Sequence, residues 1–340
     1  DHVDLNKHMD LSLSKEYALY SDVHTTDVYT SIDALIDQSQ RLHLNTYQSF
    51  VRNLFDPLSN YKSLFLIHGT GTGKTITSLS VAIESQKQYR EYILLEKNKI
   101  YNDIHSIVII GYTKDIFKDE LINHTEFGFV SQTEINELRD YQKSAHESKL
   151  IEEKLYNLKN KLYRRISDKN MSGIFKFYGY RQLFNRIINL NDLAEKSKYK
   201  KGTKIDQNDT DTHLNIDPNQ IRKWIKDGSV RLNKSFIESL KKSLMICDEV
   251  HNIYYQDDIN VYGLTIEIIN DYFNEPKLYN PNWSINNKDC IRWLFLSATP
   301  LASSPTEIIP IINLLNQKAN RVQYSDLFDL TTKELTTKGL

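Results

Sequence analysis

Short apolar runs of strand length alternate along this chain with longer segments of helical periodicity. Four runs predict buried strands and a weaker one predicts a fifth, at residues 64–68, 106–111, 243–247, 292–296 and, more weakly, 175–180. Apolar residues at helical spacing follow three of these runs. They predict a helix after the first run to about residue 85, and helices over 182–190 and 308–315. Strands that alternate with helices predict an α/β fold with a mainly parallel sheet flanked by helices.

Apolar residues recur every three or four positions in two further segments. Residues 44–54 therefore predict a helix before the first strand. Residues 134–166 predict one long helix or a helical hairpin that buries a single stripe. The alternative interpretation of this stripe is a coiled-coil site for a partner.

Polar segments divide the rest of the chain. Residues 1–35 predict an N-terminal extension, and residues 36–318 one domain that carries the helical insertion at 134–166. Lysines followed by aspartates at 194–218 predict a flexible insertion. These aspartates do not form a calcium loop, because Asp211 stands where such a loop requires glycine. Residues 319–340 predict a linker.

Composition adds few constraints to this picture. The chain has 340 residues, of which 40% are hydrophobic and 26% charged, as in an ordinary globular protein. The net charge of −1 excludes a global field that attracts nucleic acid, so any such contact needs a local patch. Cys247 and Cys290 lie in apolar runs, which predicts buried thiols in a reducing compartment. No apolar run has the length of a membrane span.

A glycine-rich stretch joins the first predicted strand to the following helix. Its residues are His68, Gly69, Thr70, Gly71, Thr72, Gly73, Lys74 and Thr75. Strand, glycine turn and helix start form a phosphate-binding loop, in which backbone N–H groups and the helix N-terminus surround an anion. Lys74 is expected to reach the β- and γ-phosphates of ATP, and the Thr75 hydroxyl to bind Mg²⁺. The alternative is a glycine-rich hairpin, which the flanking strand and helix signals oppose.

Two later strands end in residues that complete such a site. The run at 243–247 leads into Asp248, Glu249, Val250 and His251. Asp248 is expected to hold Mg²⁺, and Glu249 to orient and deprotonate the attacking water. The run at 292–296 ends in Ser297 and Thr299, whose hydroxyls can hydrogen-bond the preceding acid and histidine and report on the nucleotide.

The order of these three stretches resembles motifs I, II and III of superfamily 2 DExH helicases. Non-glycine residues are common in that superfamily at the position of His68. The sequences at 68–75, 109–114, 177–180 and 247–253 further resemble helicase-like proteins of nucleocytoplasmic large DNA viruses. These include the small subunit of the poxvirus early transcription factor and its asfarvirus relatives. The resemblance covers residues 40–335 and implies a RecA-like P-loop lobe.

The resemblance also implies roles for residues outside the loop. It adds His251 to the catalytic set with Lys74, Asp248 and Glu249, and it makes Gln48 a reader of adenine. The alternative for Gln48 is a helix-surface amide. Thr113 and Lys114 match the motif that contacts the nucleic-acid backbone. The aromatic residues at 177–180 lie either beneath a nucleic-acid strand or in the core.

Superfamily 2 motors close their ATP site with arginines from a second RecA-like lobe. The corresponding Gln-x-x-Gly-Arg-x-x-Arg pattern does not occur in this sequence. We therefore expect the chain to be the first lobe, with 319–340 leading toward a second. Because such arginines contribute about 10³- to 10⁵-fold in rate, the lobe alone is expected to hydrolyse ATP poorly.

The expected function is an ATP-dependent helicase or translocase that uses Mg-ATP to move on or remodel nucleic acid in viral transcription or replication. One alternative is an initiation factor that binds promoter DNA and uses ATP for release without unwinding. Another is an assembly module with a vestigial ATP site. The resemblance implies DNA rather than RNA, a viral RNA polymerase or transcription-factor subunit as partner, no membrane, and location in the virion and host cytoplasm.

Overall fold

The computed structural model describes residues 42–56, 59, 61–69, 71–94, 104–146, 148–167, 174–189, 191–193, 216–255, 258–274, 291–299, 308–315 and 322–327. The predicted extension at 1–35 and Thr70 lie outside these residues. So do most of the predicted insertion at 194–218 and of the predicted linker at 319–340.

The strands form one parallel sheet and one small antiparallel pair. They are β1 (Ser63–Ile67), β2 (Ser106–Ile110), β3 (Phe175–Tyr178), β4 (Ser243–Cys247), β5 (Tyr254–Tyr255), β6 (Asp258–Ile259) and β7 (Arg292–Ser297). The main sheet has the order β1-β7-β4-β2-β3, and every pair in it is parallel. This result confirms the predicted α/β class and all five predicted strands. Strands β5 and β6 pair with each other.

The helices lie mainly in the connections between strands. They are α1 (Thr46–Leu54), α2 (Lys74–Leu94), α3 (Lys114–Asn123), α4 (Gln132–Ser144), α5 (Lys149–Ser167), α6 (Tyr180–Ile187), α7 (Pro218–Lys226), α8 (Lys234–Glu238), α9 (Val261–Asn274), α10 (Ile308–Leu315) and α11 (Tyr324–Leu327). None of the helices in the described ranges is both long enough and apolar enough to cross a membrane.

The chain divides into two compact units. The second unit comprises residues 60–74, 92–114 and 175–340, and it contains the whole parallel sheet. Strands β2, β4 and β7 are buried along their full lengths, as their uninterrupted apolar runs predict. Their side chains share one hydrophobic core with α6 and α9.

The first unit comprises residues 1–59, 75–91 and 115–174. Helices α4 and α5 within it pack against each other, so the segment at 134–166 is a helical hairpin rather than one long helix. Ser131 and Glu134 form a capping box at the start of α4. Arg165 of α5 donates to Glu134 at 2.8 Å and to the Phe129 carbonyl at 2.6 Å, which ties the two helices together.

Two helices differ from the prediction. Helix α2 continues to Leu94, well beyond the expected end near residue 85, because no proline or glycine interrupts residues 86–94. Helix α9 was not predicted. Its sequence is apolar on almost every side and nearly all of its residues are buried, so it lacks the one-sided pattern that identifies a surface helix.

Candidate functional site

The carboxyl ends of β1, β7 and β4 lie side by side in the second unit. Ile67 at the end of β1 pairs in register with Ser297 at the end of β7, and the His68 N–H donates to the Ser297 carbonyl at 3.0 Å. Strand β7 pairs in turn with β4, which leads into Asp248. Parallel pairing therefore gathers the three predicted motif stretches at one edge of the sheet.

The loop after β1 has the backbone conformation that anion binding needs. Gly71 and Gly73 have φ values of 79° and 82°, which residues with side chains rarely adopt. Thr72 donates its hydroxyl to the Gly69 carbonyl at 2.7 Å and so closes the turn. Lys74 is the first residue of α2, and Thr75 follows it directly. Left-handed glycines of this kind allow backbone N–H groups to turn toward an anion.

His68 lies buried at the start of this loop, with 6% of its surface exposed. Burial lowers the pKa of its imidazole, and the positive charge of Lys74 lowers it further. His68 is therefore neutral at physiological pH. Its backbone N–H belongs to the β1–β7 ladder, so its position in the loop is set by the sheet.

The side chains of Lys74 and Glu249 form an ion pair. Lys74 Nζ lies 2.8 Å from Glu249 Oε1, and the two side chains are 11% and 28% exposed. Glu249 adopts a left-handed conformation with φ 52° and ψ 53°, unusual for a residue other than glycine. The structure thus brings together two predicted catalytic residues that lie 175 positions apart.

Asp248 is buried beside this pair, and its backbone N–H donates to the Ile110 carbonyl at 2.8 Å. Burial raises the pKa of its carboxyl group. The Thr113 hydroxyl donates to Asp248 Oδ2 and opposes this rise, the charge of Glu249 adds to it, and the charge of Lys74 opposes it. Asp248 thus depends on its hydrogen bonds and cationic neighbour to remain ionised.

The imidazole of His251 connects the end of β4 to the end of β7. Its Nδ1 lies 3.0 Å from Ser297 Oγ and 3.3 Å from Glu249 Oε2. Its Nε2 lies 3.2 Å from the side-chain nitrogen of Asn252, which is a donor. A neutral ring that accepts at Nε2 carries its proton on Nδ1, and so donates toward Ser297 or Glu249. Ser297 Oγ also accepts the Thr299 N–H at 3.2 Å.

Gln48 lies in the first unit, and the structure gives its side chain a local role. Gln48 Oε1 accepts the Asn45 N–H at 3.0 Å, while the Asn45 side chain accepts the Gln48 N–H at 2.8 Å. This capping box begins α1. Gln48 is only 7% exposed, so its interpretation as a surface amide was wrong.

Thr113 and Lys114 were predicted to contact nucleic acid, and the aromatic residues at 177–180 to lie either beneath a nucleic-acid strand or in the core. The Thr113 hydroxyl contacts Asp248, and Lys114 begins α3. Of the aromatic residues, Tyr180 is 1% exposed and belongs to the core. The placement of Tyr180 contradicts its interpretation as a platform beneath a nucleic-acid strand.

Sequence reasoning missed two contacts of this site. The Thr113 hydroxyl binds the Asp248 carboxylate, and the Tyr180 hydroxyl donates to the Asp248 carbonyl at 2.7 Å. The partners lie 135 and 68 positions apart. No spacing rule connects such distant residues. The only available signal was that both follow predicted strands, whose carboxyl ends meet at one edge.

Within the described ranges, no group of three or more His, Cys, Asp or Glu side chains could hold a metal ion. Asp248 is a single buried carboxylate at a strand end. One or two protein oxygens are the set that Mg²⁺ takes when phosphates and water supply its remaining ligands. The donor set therefore suits a magnesium ion that arrives with a nucleotide.

Comparison with known proteins places the chain among viral and helicase-like sequences. Early transcription factor large subunit homologs of African swine fever virus, from isolates Tick/Malawi/Lil 20-1/1983 and Tick/South Africa/Pretoriuskop Pr4/1996, are 28% identical to it over 285 residues. The match covers 81% of this chain and 24% or 23% of the homologs, so the chain spans about a quarter of their length. The predicted resemblance to asfarvirus proteins is confirmed, although these relatives bear the name of the large subunit rather than the small one.

A family model, described as the type III restriction enzyme, res subunit, matches residues 30–301. This range contains the phosphate-binding loop, Asp248, Glu249 and Ser297, and it extends over more than half of the chain. The chain therefore belongs to this helicase family, that of the type III restriction enzyme res subunit, and has its RecA-like P-loop fold.

Proposed function

We propose that this chain is the ATP-binding lobe of a nucleic-acid-dependent ATPase of the DExH type that acts in viral transcription. The observation that carries the proposal is the 2.8 Å ion pair between Lys74 and Glu249, formed beside the buried carboxylate of Asp248. A lysine from a glycine loop, a metal-binding acid and a general base are the parts that hydrolysis of a phosphoanhydride requires.

Each part has a distinct task in this proposal. The N–H groups of Gly69, Gly71 and Gly73 and the Lys74 ammonium bind the β- and γ-phosphates. Asp248 and Thr75 supply oxygen ligands to Mg²⁺, which neutralises phosphate charge when bound. Glu249 orients a water molecule and accepts its proton. Before hydrolysis, Lys74 must leave its ion pair with Glu249 and bind phosphate. The Glu249 carboxylate therefore becomes available to water as the nucleotide enters.

A hydrogen-bonded path connects the base to the next strand. His251 lies within 3.3 Å of Glu249 and 3.0 Å of Ser297, and Ser297 accepts the Thr299 N–H. We assign this path the predicted coupling role, in which hydrolysis at Glu249 changes the position of the segment after β7. Lys114 and the backbone at Thr113 keep their predicted role as contacts of a nucleic-acid strand.

The relatives support a role in transcription rather than replication. Their name, early transcription factor, also supports the alternative of an initiation factor that binds promoter DNA and uses ATP for release. DNA, a second RecA-like lobe in a longer chain, and a viral RNA polymerase are the partners of the proposed ATPase. Its location is then the virion and the host cytoplasm. An assembly module with a vestigial site agrees poorly with the intact Lys74–Glu249 pair.

Nucleotide binding to this chain tests the proposal. We expect Mg-ATP to bind, and Lys74→Ala to abolish binding by removing the main cationic phosphate ligand. Lys87→Ala is the matched control, because Lys87 lies on the same helix, α2, and within the described part of the chain its ion pair is with Glu84, outside the loop. Binding that survives Lys74→Ala, or that Lys87→Ala abolishes equally, contradicts the assigned loop.

Two measurements on the longer protein separate the finer possibilities. Glu249→Gln should still bind Mg-ATP but lose hydrolysis, because the amide cannot accept a proton from water. Retained hydrolysis in that variant refutes the role of Glu249. A strand-displacement assay then distinguishes a helicase, which separates a duplex, from an initiation factor, which does not.

A further inference from the structure

Tyr180 is a fully buried tyrosine whose hydroxyl points to the candidate site rather than to water. It is the first residue of α6, directly after the end of β3, and its hydroxyl donates to the Asp248 carbonyl at 2.7 Å. We infer that Tyr180 is a positioning residue that fixes the peptide bond between Asp248 and Glu249 for hydrolysis. This inference rests on the proposed function.

The bonded oxygen belongs to the peptide unit that orients Glu249. This unit rotates about ψ of Asp248 and φ of Glu249. Tyr180 holds the carbonyl end of this peptide unit through its hydrogen bond of 2.7 Å to the Asp248 carbonyl.

The backbone at Glu249 needs such support. Its φ of 52° lies in the left-handed region, which is strained for a residue with a side chain. Asn252 adds two bonds to the Glu249 carbonyl, from its backbone N–H at 3.0 Å and its side chain at 2.9 Å. Tyr180 and Asn252 thus hold the two carbonyls that flank Glu249. With both fixed, the Glu249 carboxylate meets Lys74 at 2.8 Å.

The order of strands explains how Tyr180 reaches this peptide. Strand β2 lies between β3 and β4, so the Tyr180 side chain extends from one neighbour of β2 to the other. Gly111 follows β2, and a Cβ there would lie 3.0 Å from Asp248 Cβ. The tyrosine ring packs against Tyr112 and Tyr262, with centroid distances of 5.4 and 5.9 Å. Contact with these two rings restricts the Tyr180 ring and so directs its hydroxyl.

The Tyr180 hydroxyl is the donor in its hydrogen bond to Asp248. A carbonyl oxygen can only accept, so the proton lies between the two oxygens on the tyrosine side. Tyr180 thus acts through the backbone and transfers no proton to the substrate.

The test compares Tyr180→Phe with Tyr272→Phe in the full-length protein. Tyr272 is a matched control, since it is also fully buried in the core of the second unit and donates its hydroxyl to Glu238 at 3.0 Å. Turnover of Mg-ATP with nucleic acid and the nucleotide Kd without Mg²⁺ are measured for both. Urea unfolding of each variant establishes that it folds.

We expect Tyr180→Phe to lower turnover by about 10- to 100-fold, because small displacements of a catalytic group have effects of that size. The nucleotide Kd without Mg²⁺ should change by less than about twofold, because the loop and Lys74 keep their contacts. Tyr272→Phe should lose similar stability and keep turnover within about twofold. A 4-aminophenylalanine at position 180, which retains an N–H donor on the same ring, should restore most of the lost turnover.

Four results overturn the inference. Unchanged turnover in Tyr180→Phe excludes a positioning role, while wild-type hydrolysis still supports the proposed function. Equal losses in both Phe variants, or no rescue by the amino analogue, indicate a purely structural tyrosine. A wild-type protein that neither binds nor hydrolyses nucleotide overturns the proposed function itself, and the inference with it.

Discussion

Replacement of Thr113 by valine tests the electrostatic account of Asp248. Valine keeps the shape of threonine and removes the hydroxyl that donates to the Asp248 carboxylate. Asp248 is only 7% exposed, and burial already raises its pKa. Because the Thr113 bond opposes that rise, its loss should raise the pKa of Asp248 further.

The size of the effect follows from the burial of the acceptor. A hydrogen bond to a charged group contributes about 1.5–3 kcal/mol, so Thr113→Val should lower the free energy of unfolding by that amount at pH 7. The pKa of Asp248 is higher in the folded than in the unfolded state, so ionisation opposes folding, more strongly in the variant. This cost disappears as the pH falls through the folded-state pKa toward the unfolded value of 3.8. The difference in free energy of unfolding between wild type and Thr113→Val should then shrink to about 1 kcal/mol, the contribution of a hydrogen bond to a neutral group.

Urea unfolding at several pH values measures this deficit. The three tryptophans of the chain, Trp224, Trp283 and Trp293, all fall within residues 175–340 of the second unit, so tryptophan fluorescence follows the unit that contains Asp248. Thr113→Ser keeps the hydroxyl and is the control, with an expected loss at pH 7 smaller than that of valine. A valine deficit that does not change with pH, or a serine variant as unstable as valine, would refute the account of Asp248.

Two other substitutions test the packing of each unit. Gly263 lies inside α9, where replacing glycine by alanine normally stabilises a helix by up to about 1 kcal/mol. In Gly263→Ala the new Cβ would instead clash with the Ile253 carbonyl oxygen. Thermal unfolding should therefore show that the free energy of unfolding falls by about 2 kcal/mol or more. Arg165→Ala removes the guanidinium bonds to the Phe129 carbonyl and to Glu134, and should cost the first unit about 1–2 kcal/mol at pH 7. The hydrogen bonds from Arg165, with a smaller contribution from Ser131, lower the pKa of Glu134 from 4.5 to about 2, so this penalty should decline as the pH falls between those values. Circular dichroism during unfolding measures the penalty.

The sequence predicted the strands and the motif residues because these depend on local pattern. Uninterrupted apolar runs at β2, β4 and β7 follow from burial on both faces of a parallel sheet. Asp248 directly follows β4, and Lys74 follows the glycine-rich loop after β1. These strands were recognised as apolar runs without polar interruptions. Helix α9 is also apolar on almost every side and shows no helical periodicity, so the same sequence pattern did not identify it as a helix. Its length of 14 residues, longer than any of the strands, was the available distinction.

The contacts around Asp248 could not be predicted, because they depend on the order of strands. β1 and β2 are successive in the chain, yet two other strands lie between them in the sheet. Only this order makes β4 the neighbour of β2, so that Thr113 and Tyr180 both reach Asp248. A residue pattern records where each strand ends, but not which ends become neighbours. Sequence reasoning therefore identified the chemical groups of the site and missed the groups that hold them.

The Lys74–Glu249 pair also bears on how the proposed site avoids wasteful hydrolysis. While Glu249 Oε1 lies 2.8 Å from the Lys74 ammonium group, the ion pair occupies the carboxylate that would otherwise orient water, and it occupies Lys74 as well. A triphosphate carries more negative charge than one carboxylate and competes for Lys74, which releases Glu249 toward water. Replacement of Lys74 therefore has two opposite consequences, since it removes a phosphate ligand and frees the base. Loss of nucleotide binding in Lys74→Ala must then be read from binding itself, because a turnover measurement combines both effects.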